Sequence, residues 1–313
     1  MNILITAIGS MSAECVINQL KSQQHYIVGC DIYPYEWHYE SALCDKFYQA
    51  PLAKNKDEYI QFLLDVCASN HINHIIPLTD LEIDIINEFR YKFAERGIVL
   101  CMQSEEVLAI ARNKYQLYTY FSQDAHIPSI PTSLMNDMNG EIGFPCIAKP
   151  YNGRSSEGLS LVRSKAELDL ISNKDMYIVQ QFMEGSIYTV DYIRHAASGR
   201  DMAVPRVELL RTKNGAGLTV QVVSDQSLNN MVAYIGQKLN INGCVNMEFI
   251  KNGEQYYLID INPRFSAGVA FSVLSGYDMV NNHLNCFTGH VMDAPVQVAD
   301  HIMVKKYSEK IIQ

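Results

Sequence analysis

The first hundred residues alternate short, unbroken apolar runs with stretches of helical spacing, and nothing else in the chain restricts its fold as much. Ile3-Leu4-Ile5, Tyr26-Ile27-Val28, His74-Ile75-Ile76-Pro77-Leu78 and Ile98-Val99-Leu100 read as strands. Residues 13–20 and 59–66 carry apolar side chains at helical intervals. Leu81, Ile85, Ile86, Phe89 and Phe93 share one helical stripe, with Asp80 expected as the N-cap. A strand that is apolar along its whole length has to be buried on both faces. Such strands separated by helices predict an α/β module, a parallel sheet covered on each side and Rossmann-like in outline. It is expected to occupy residues 1–112.

Beyond residue 104 the pattern changes to α+β. Two helices are expected up to about residue 123, the first with Glu105 and Glu106 in its opening turn, and Pro128 and Pro131 mark an extended connection. The strand 144–150 is followed by a polar loop, 152–158, and a second strand, 159–162. Ser164 with Glu167 reads as a capping box, worth about 1 kcal/mol. Residues 177–181, 187–193, 202–210 and 218–223 read as antiparallel strands, and 226–239 as a helix. The strands 245–250 and 255–261 form a hairpin across Asn252-Gly253. A length of 313 residues accommodates two domains of about 100–200 residues each. The second is placed at 113–313, with one lobe over 113–185 and another over 186–313.

Charge and composition exclude several roles. With 34 acidic against 25 basic residues the net charge is −9, which argues against nucleic acid or an anionic membrane as partner. No run approaches the roughly 18 apolar residues of a membrane span. The N-terminus has no basic region ahead of its first strand, so a secretory leader is not expected and the cytoplasm is the default location. The eight cysteines are scattered without a CxxC pair and read as small buried hydrophobes. His71 and His74 lack a cysteine or carboxylate partner at ligand spacing.

Two segments carry chemistry. After the first strand, Ala7-Ile8-Gly9-Ser10-Met11-Ser12 has one glycine where a dinucleotide fingerprint has three, so Asp31 at the end of the second strand is a poor indicator of NAD(P). By contrast Lys149-Pro150-Tyr151-Asn152-Gly153-Arg154-Ser155-Ser156-Glu157-Gly158 ends a buried strand with a lysine and continues into a loop of small polar residues. Such a loop can fold over a polyphosphate with its N–H groups and hydroxyls while the lysine supplies a charge. Taken alone, a surface loop beside a snorkelling lysine reads equally well.

The hairpin is the second segment. Glu248 lies in one apolar strand and Asp260, Asn262 and Arg264 in or just beyond the other. An acid in an apolar strand is costly unless paired or coordinating. Strand parity places Glu248 and Asp260 on opposite faces if the turn is a strict two-residue Asn252-Gly253, and on one face if the loop holds three residues with a bulge. The three-residue loop is expected, because Glu248, Asp260 and Asn262 would then converge as hard oxygen ligands suited to magnesium. The plainer alternative is that Asp260 and Asn262 cap the strand end.

Asn113-Lys114, Lys149 with its loop, Val179-Gln180-Gln181-Phe182-Met183-Glu184-Gly185, Glu248 and Asp260-Ile261-Asn262-Pro263-Arg264 occur in the order seen in the ATP-grasp superfamily. The chain resembles the carbamoyl-phosphate-synthase type and other carboxylate–amine ligases, in which Asp45-Lys46-Phe47-Tyr48 also has a counterpart. The resemblance covers nearly the whole chain and implies a two-lobed ATP-grasp domain after the parallel-sheet module. It implies that Lys114 and Lys149 contact ATP phosphates and that Gly153, Arg154, Ser155, Ser156 and Gly158 close over them. The backbone of Gln180, Gln181 and Phe182 would read the adenine. Glu248, Asp260 and Asn262 would hold one or two Mg2+ ions, with Mn2+ able to substitute. Arg264 would steady the transferred phosphoryl group. Arg206 and Arg211 resemble positions that touch phosphate or a substrate carboxylate, with exposed surface charge as their alternative. Ile187 stands where many relatives carry an acid.

The implied activity is ATP-dependent activation of a small carboxylate as an acyl-phosphate and its capture by an amine, releasing ADP and phosphate. Phosphorylation without ligation, or nucleotide binding by a regulator, is the alternative. The chain ends soon after the grasp domain, which leaves a partner protein or a homodimer to complete the substrate site.

Overall fold

A computed structural model describes residues 1–138, 142–154 and 156–312. The N-terminal part contains β1 (Asn2–Thr6), α1 (Ala13–Ser22), β2 (Tyr26–Asp31), β3 (Lys46–Gln49), α2 (Lys56–Ser69), β4 (His74–Pro77), α3 (Asp80–Glu88), α4 (Arg90–Ala94) and β5 (Val99–Leu100). All five strands are parallel, in the order β3-β2-β1-β4-β5. The two-residue period of a strand divides β1 between two cores. Ile3 and Ile5 pack with Val16, Ile17 and Leu20 of α1, whereas Leu4 packs with Tyr59, Ile60 and Leu63 of α2 and Ile83 and Ile86 of α3.

Two local details differ from expectation. The helix running from Asp80 towards Phe93 breaks at Phe89, and its N-cap is Thr79. The Thr79 hydroxyl donates to Glu82 at 2.8 Å, and Asp80, now the first helical residue, is free to point elsewhere. The strand β3 carries only partly buried residues and lies at the sheet edge, so no apolar run announces it.

The helices α5 (Glu105–Ala111) and α6 (Lys114–Phe121) lead into the second part. Asn113 Oδ1 accepts from the N–H groups of Tyr115 and Gln116, which fixes the start of α6 at Lys114. A four-stranded sheet follows in the order β6-β9-β7-β8, from β6 (Thr132–Leu134), β7 (Cys146–Pro150), β8 (Ser160–Val162) and β9 (Tyr177–Gln181), with α7 (Lys165–Asp169) beside it. Ser164 caps α7 by accepting from Glu167 N, while the Glu167 carboxylate reaches the N–H of Arg163, one residue before the cap.

The largest sheet contains β10 (Ser186–Arg194), β11 (Asp201–Arg211), β12 (Gly217–Val222), β13 (Gly243–Asn252), β14 (Gln255–Asn262) and β15 (His301–Val304). Its order is β14-β13-β10-β11-β12-β15, antiparallel throughout. Leu228, Val232 and Ile235 of α8 (Gln226–Lys238) cover one face, and the other faces a cleft. Two further helices, α9 (Val269–Leu274) and α10 (Met279–Thr288), close the molecule, and α10 packs Met279, Val280 and Leu284 into the same core as α1. No helix of the described residues is long and apolar enough to cross a membrane.

The hairpin β13–β14 corrects the expected loop and preserves its consequence. The turn is two residues long, Gly253 and Glu254, because Asn252 pairs with Gln255. Gly253 adopts φ +58°, which glycine supplies without strain. Continued unbroken, that register would set Glu248 opposite Ile259. The register shifts instead between Glu248 and Phe249, with Phe249 opposite Leu258 and Glu248 opposite Asp260. Ile259 is thus the extra residue of a β-bulge, and the parity change arises inside the strand.

Candidate active site

Two rungs of paired residues cross the open face of the large sheet. The first runs Asp260, Glu248, Thr189, Arg206 over β14, β13, β10 and β11. The second runs Asn262, Asn246, Asp191. Paired positions in a sheet project to the same side, so the three predicted metal ligands converge on one wall of the cleft.

Lysines meet that wall from the other lobe. Lys114, at the first turn of α6, lies 3.0 Å from Asp260 Oδ2 and donates to Gly153 O at 3.0 Å, tying the polar loop to the hairpin. Lys149 sits in β7 and donates to Gln180 Oε1 at 3.0 Å across the β7–β9 pair, and Gln180 in turn donates to Thr132 Oγ1. Burial pulls the Lys149 ammonium down to about 8. The charges of Asp260 and Glu248 oppose that shift and Lys114 reinforces it. The snorkelling alternative is corrected: Lys149 is inside.

The loop after β7 turns tightly, with Gly153 N donating to Pro150 O at 3.2 Å and Arg154 3.9 Å from Glu157. A Cβ on Gly158, which has φ +71°, would stand 2.7 Å from the Tyr177 hydroxyl oxygen. Ser156 also adopts a left-handed φ, +58°. Ser155 lies outside the described residues. In β9, Gln181 N donates to Pro131 O, and the Gln181 side chain bridges Gly143 N and Pro145 O. Phe182 and Ile187 line the cleft.

Glu248 is held above its ordinary value chiefly by burial, with Asp260 adding repulsion and Arg211 opposing both. Arg211 reaches Glu248 Oε2 at 3.3 Å and donates through Nε to Gly215 O at 2.8 Å. Two repelling carboxylates beside the Asn262 amide form a hard-oxygen donor set that a small divalent cation would satisfy, with phosphate and water completing its shell. Among the described residues no cluster of three His, Cys, Asp or Glu side chains could bind a metal alone.

Arg206 lines the cleft and departs from the surface-charge alternative. It is 2% exposed, so it is not a surface charge. Its guanidinium donates to Asp191 at 2.8 Å and Ser266 at 3.1 Å, and lies 3.4 Å from Glu208. Its two terminal nitrogens are bonded to Asp191 and Ser266 while its Nε has no hydrogen-bond partner among the described residues, so it braces the cleft wall. Asp191 also accepts from Ser272 and Asn246, which completes a buried network.

Arg264 follows β14 and donates to Asp80 at 2.7 Å and to Phe265 O at 3.2 Å, with Asn262 Oδ1 at 3.4 Å. Burial pushes the Asp80 carboxyl up, but Arg264 and Arg112 outweigh it and hold it below the usual carboxylate range. Sequence reasoning assigned Asp80 only to a helix cap, because no local signal reveals a partner so distant in the chain. It also missed Thr189, whose buried hydroxyl has no hydrogen-bond partner among the described residues and stands beside Glu248 in the first rung.

At the C-terminal edge of the parallel sheet, Asp31 accepts from Gly9 N at 2.8 Å and from Tyr33 N at 3.1 Å. The His38 imidazole covers Gly9 so closely that an added Cβ would be 2.5 Å from the ring. A pyrophosphate at that turn would have to displace His38. One cleft of about 920 Å³ joins this edge, the lysine loop and the two rungs.

A family model described as "ATP-grasp domain" matches residues 111–268, and one described as "PylC-like, N-terminal domain" matches 3–101. The carbamoyl phosphate synthase large chain of Clostridium acetobutylicum is 22% identical over 222 residues, 63% of this chain and 20% of that one. The arginine-specific large chain of Geobacillus stearothermophilus is 22% identical over 250 residues, 73% and 23% respectively. This chain thus spans about a fifth of the length of these curated relatives. Among solved structures, the biotin carboxylase domain of Hydrogenobacter thermophilus 2-oxoglutarate carboxylase, a dimer with MgADP and bicarbonate, superposes with a TM-score of 0.78. Identity is 16%, over 94% of this chain and 71% of that one. The N5-carboxyaminoimidazole synthetase of Staphylococcus aureus with ADP gives 0.77 at 14% identity, over 97% and 81%. At such identities the likeness is one of fold.

Proposed function

The chain belongs to the ATP-grasp family, and we propose that it is an ATP- and magnesium-dependent ligase joining a small carboxylate to an amine. A substrate carboxylate oxygen attacks the γ-phosphorus of ATP, the bond to the β-bridging oxygen breaks, and ADP leaves. The amine nitrogen then adds to the acyl-phosphate carbonyl, loses a proton and expels phosphate. Phosphoryl transfer of this kind needs positioning and charge neutralisation, with no protein nucleophile. Bound magnesium would supply further neutralisation of the phosphate oxygens, held by Glu248, Asp260 and Asn262.

The chain's own groups do the rest. Lys114 and Lys149 receive the phosphates, and the 152–158 loop closes over them and keeps water from the acyl-phosphate. Gln180 and Gln181 have side chains bonded within the protein, and Gln181 N already donates to Pro131 O. Adenine recognition therefore falls to backbone groups of Gln180, Gln181 and Phe182 other than the Gln181 N–H. Arg211 exchanges Glu248 for phosphate, and Arg264 steadies the transferred group. The cytoplasm and a homodimer complete the reading, the latter supported by the dimeric carboxylase neighbour.

The pairing of Glu248 with Asp260, facing Lys114 at 3.0 Å, carries the proposal. Its test is phosphate and ADP release from ATP across a matrix of carboxylic acids and amines, with magnesium and with EDTA. Release that needs carboxylate, amine and magnesium together supports ligation. ADP formation independent of amine would make the protein a kinase, and thermal stabilisation by ATP without turnover a regulator.

A further inference from the structure

Opposite the lysines, the cleft changes character. Met11 follows β1, Ile32 and Tyr33 follow β2, Leu52 lies beyond β3 and Leu81 beyond β4. All five line the cleft and all are exposed, Met11 at 45% and Tyr33 and Leu52 at 44%. Trp37 stacks on Tyr33 with ring centroids 5.3 Å apart and planes at 21°. Apolar side chains from the ends of four parallel strands thus gather where such sheets receive ligands.

The charged side chains at this end are already committed. Asp31 accepts two backbone N–H groups and lies 3.6 Å from His38 Nε2. Glu82 accepts from Thr6, Tyr59 and Thr79, and Asp80 is held by Arg264 and Arg112. A substrate with a charged tail would find no free counter-charge among these residues, whereas an apolar tail would cover surface that otherwise stays in water.

We propose that this end of the cleft selects a substrate with an aromatic or branched apolar side chain, seated against Tyr33, Leu52 and Leu81 with its carboxylate towards Arg264. The inference rests on the ligase reading only for the direction in which the carboxylate points.

Trp37 is the single tryptophan of the chain, so its emission reports occupancy without turnover. With ADP and magnesium present, phenylalanine, 3-phenylpropionate, leucine and 4-methylpentanoate should change that emission saturably. Their half-saturation should lie at least about tenfold below that of lysine, glutamate or glycine, as burial of one such side chain implies. Leu52→Asp should raise it by about the same factor while ATP-induced thermal stabilisation is unchanged, and Leu52→Met should restore it.

Equal or tighter binding of the charged ligands, no saturable response to any apolar one, or undiminished binding by Leu52→Asp would overturn the proposal. So would a dimer that Leu52→Asp splits without loss of ligand affinity, because the patch would then be an interface between copies. Phosphate release with charged substrates alone would sink this inference and spare the ligase reading. Apolar binding without turnover would do the reverse.

Discussion

Asp80 and Arg264 are 184 residues apart in sequence and meet at 2.7 Å, joining the first turn of α3 to the second residue beyond β14. The same carboxylate lies 3.6 Å from Arg112, whose other partner is Asp84 at 2.8 Å. One buried acid of the parallel-sheet module therefore orients the arginine assigned to the transferred phosphoryl group.

Replacing Asp80 with alanine strands Arg264 in a site only 18% exposed. Breaking such a pair costs about 3–5 kcal/mol when fully buried, and residual solvent contact brings the expectation to about 3. Urea unfolding should show that loss, and Asp80→Asn should show a smaller one with kcat reduced and ATP affinity retained. The native pKa of Asp80 lies below its ordinary 3.8, so its stabilisation is present above that pH and is lost as acid passes through the lower native value.

Lys149 gives two pH effects of opposite sign. Its native value of about 8 lies below the ordinary 10.5, so the unfolded chain holds this proton over a range in which the folded one does not. Between those values the contribution of Lys149 to stability rises with pH. Over the same range the free enzyme loses the charge that attracts phosphate, so ATP affinity should weaken from pH 7 to 9.5. Calorimetry in buffers of different ionisation enthalpy should detect proton uptake on ATP binding near pH 8.5, absent in Lys149→Met. Lys149→Arg should flatten the affinity profile.

Asp260→Asn and Glu248→Gln each remove one charge from the first rung. Phosphate release should fall roughly a hundredfold or more in either variant, and the magnesium concentration for half-activation should rise. Unchanged far-UV circular dichroism would show that the sheet persists. Wild-type magnesium dependence in both variants would reject the ligand assignment.

Gly236 tests packing against propensity. It sits inside α8, where alanine is intrinsically better by about 1 kcal/mol. An added Cβ would, however, lie 2.2 Å from the ring of Tyr192, which is buried and donates to Asp201 at 2.8 Å. Overpacking of this kind costs about 1–3 kcal/mol or more. Gly236→Ala should therefore lower the melting temperature; a rise would mean that Tyr192 can yield.

The residues that sequence made legible are those whose placement depends on neighbours in the chain. Ile3-Leu4-Ile5 and His74 to Pro77 announced buried parallel strands by composition, and Ser164 with Glu167 announced the start of α7. The convergence of Glu248, Asp260 and Asn262 followed from function-driven parity, but the device behind it did not. A bulge at Ile259 has no residue signature, whereas Gly253 does mark the turn. The burial of Arg206 and the partner of Asp80 depend on strands and helices that meet only after folding. The edge strands β3 and β15 escaped notice because half-exposed strands have little apolar pattern to read.

The bulge at Ile259 makes residue number itself a functional quantity in this hairpin. Removing Ile259 would leave Leu258 opposite Phe249 and Asp260 opposite Glu248 in a plain two-residue-turn register, so the acids would keep their aim without any bulge. Straightening the strand with all its residues kept would instead set Ile259 opposite Glu248 and turn Asp260 and Asn262 towards α8, into a space occupied by hydrocarbon. Drift in this segment should consequently tolerate loss of that one residue, and substitutions at Ile259, which alter no count, should pass with little effect on where the acids aim.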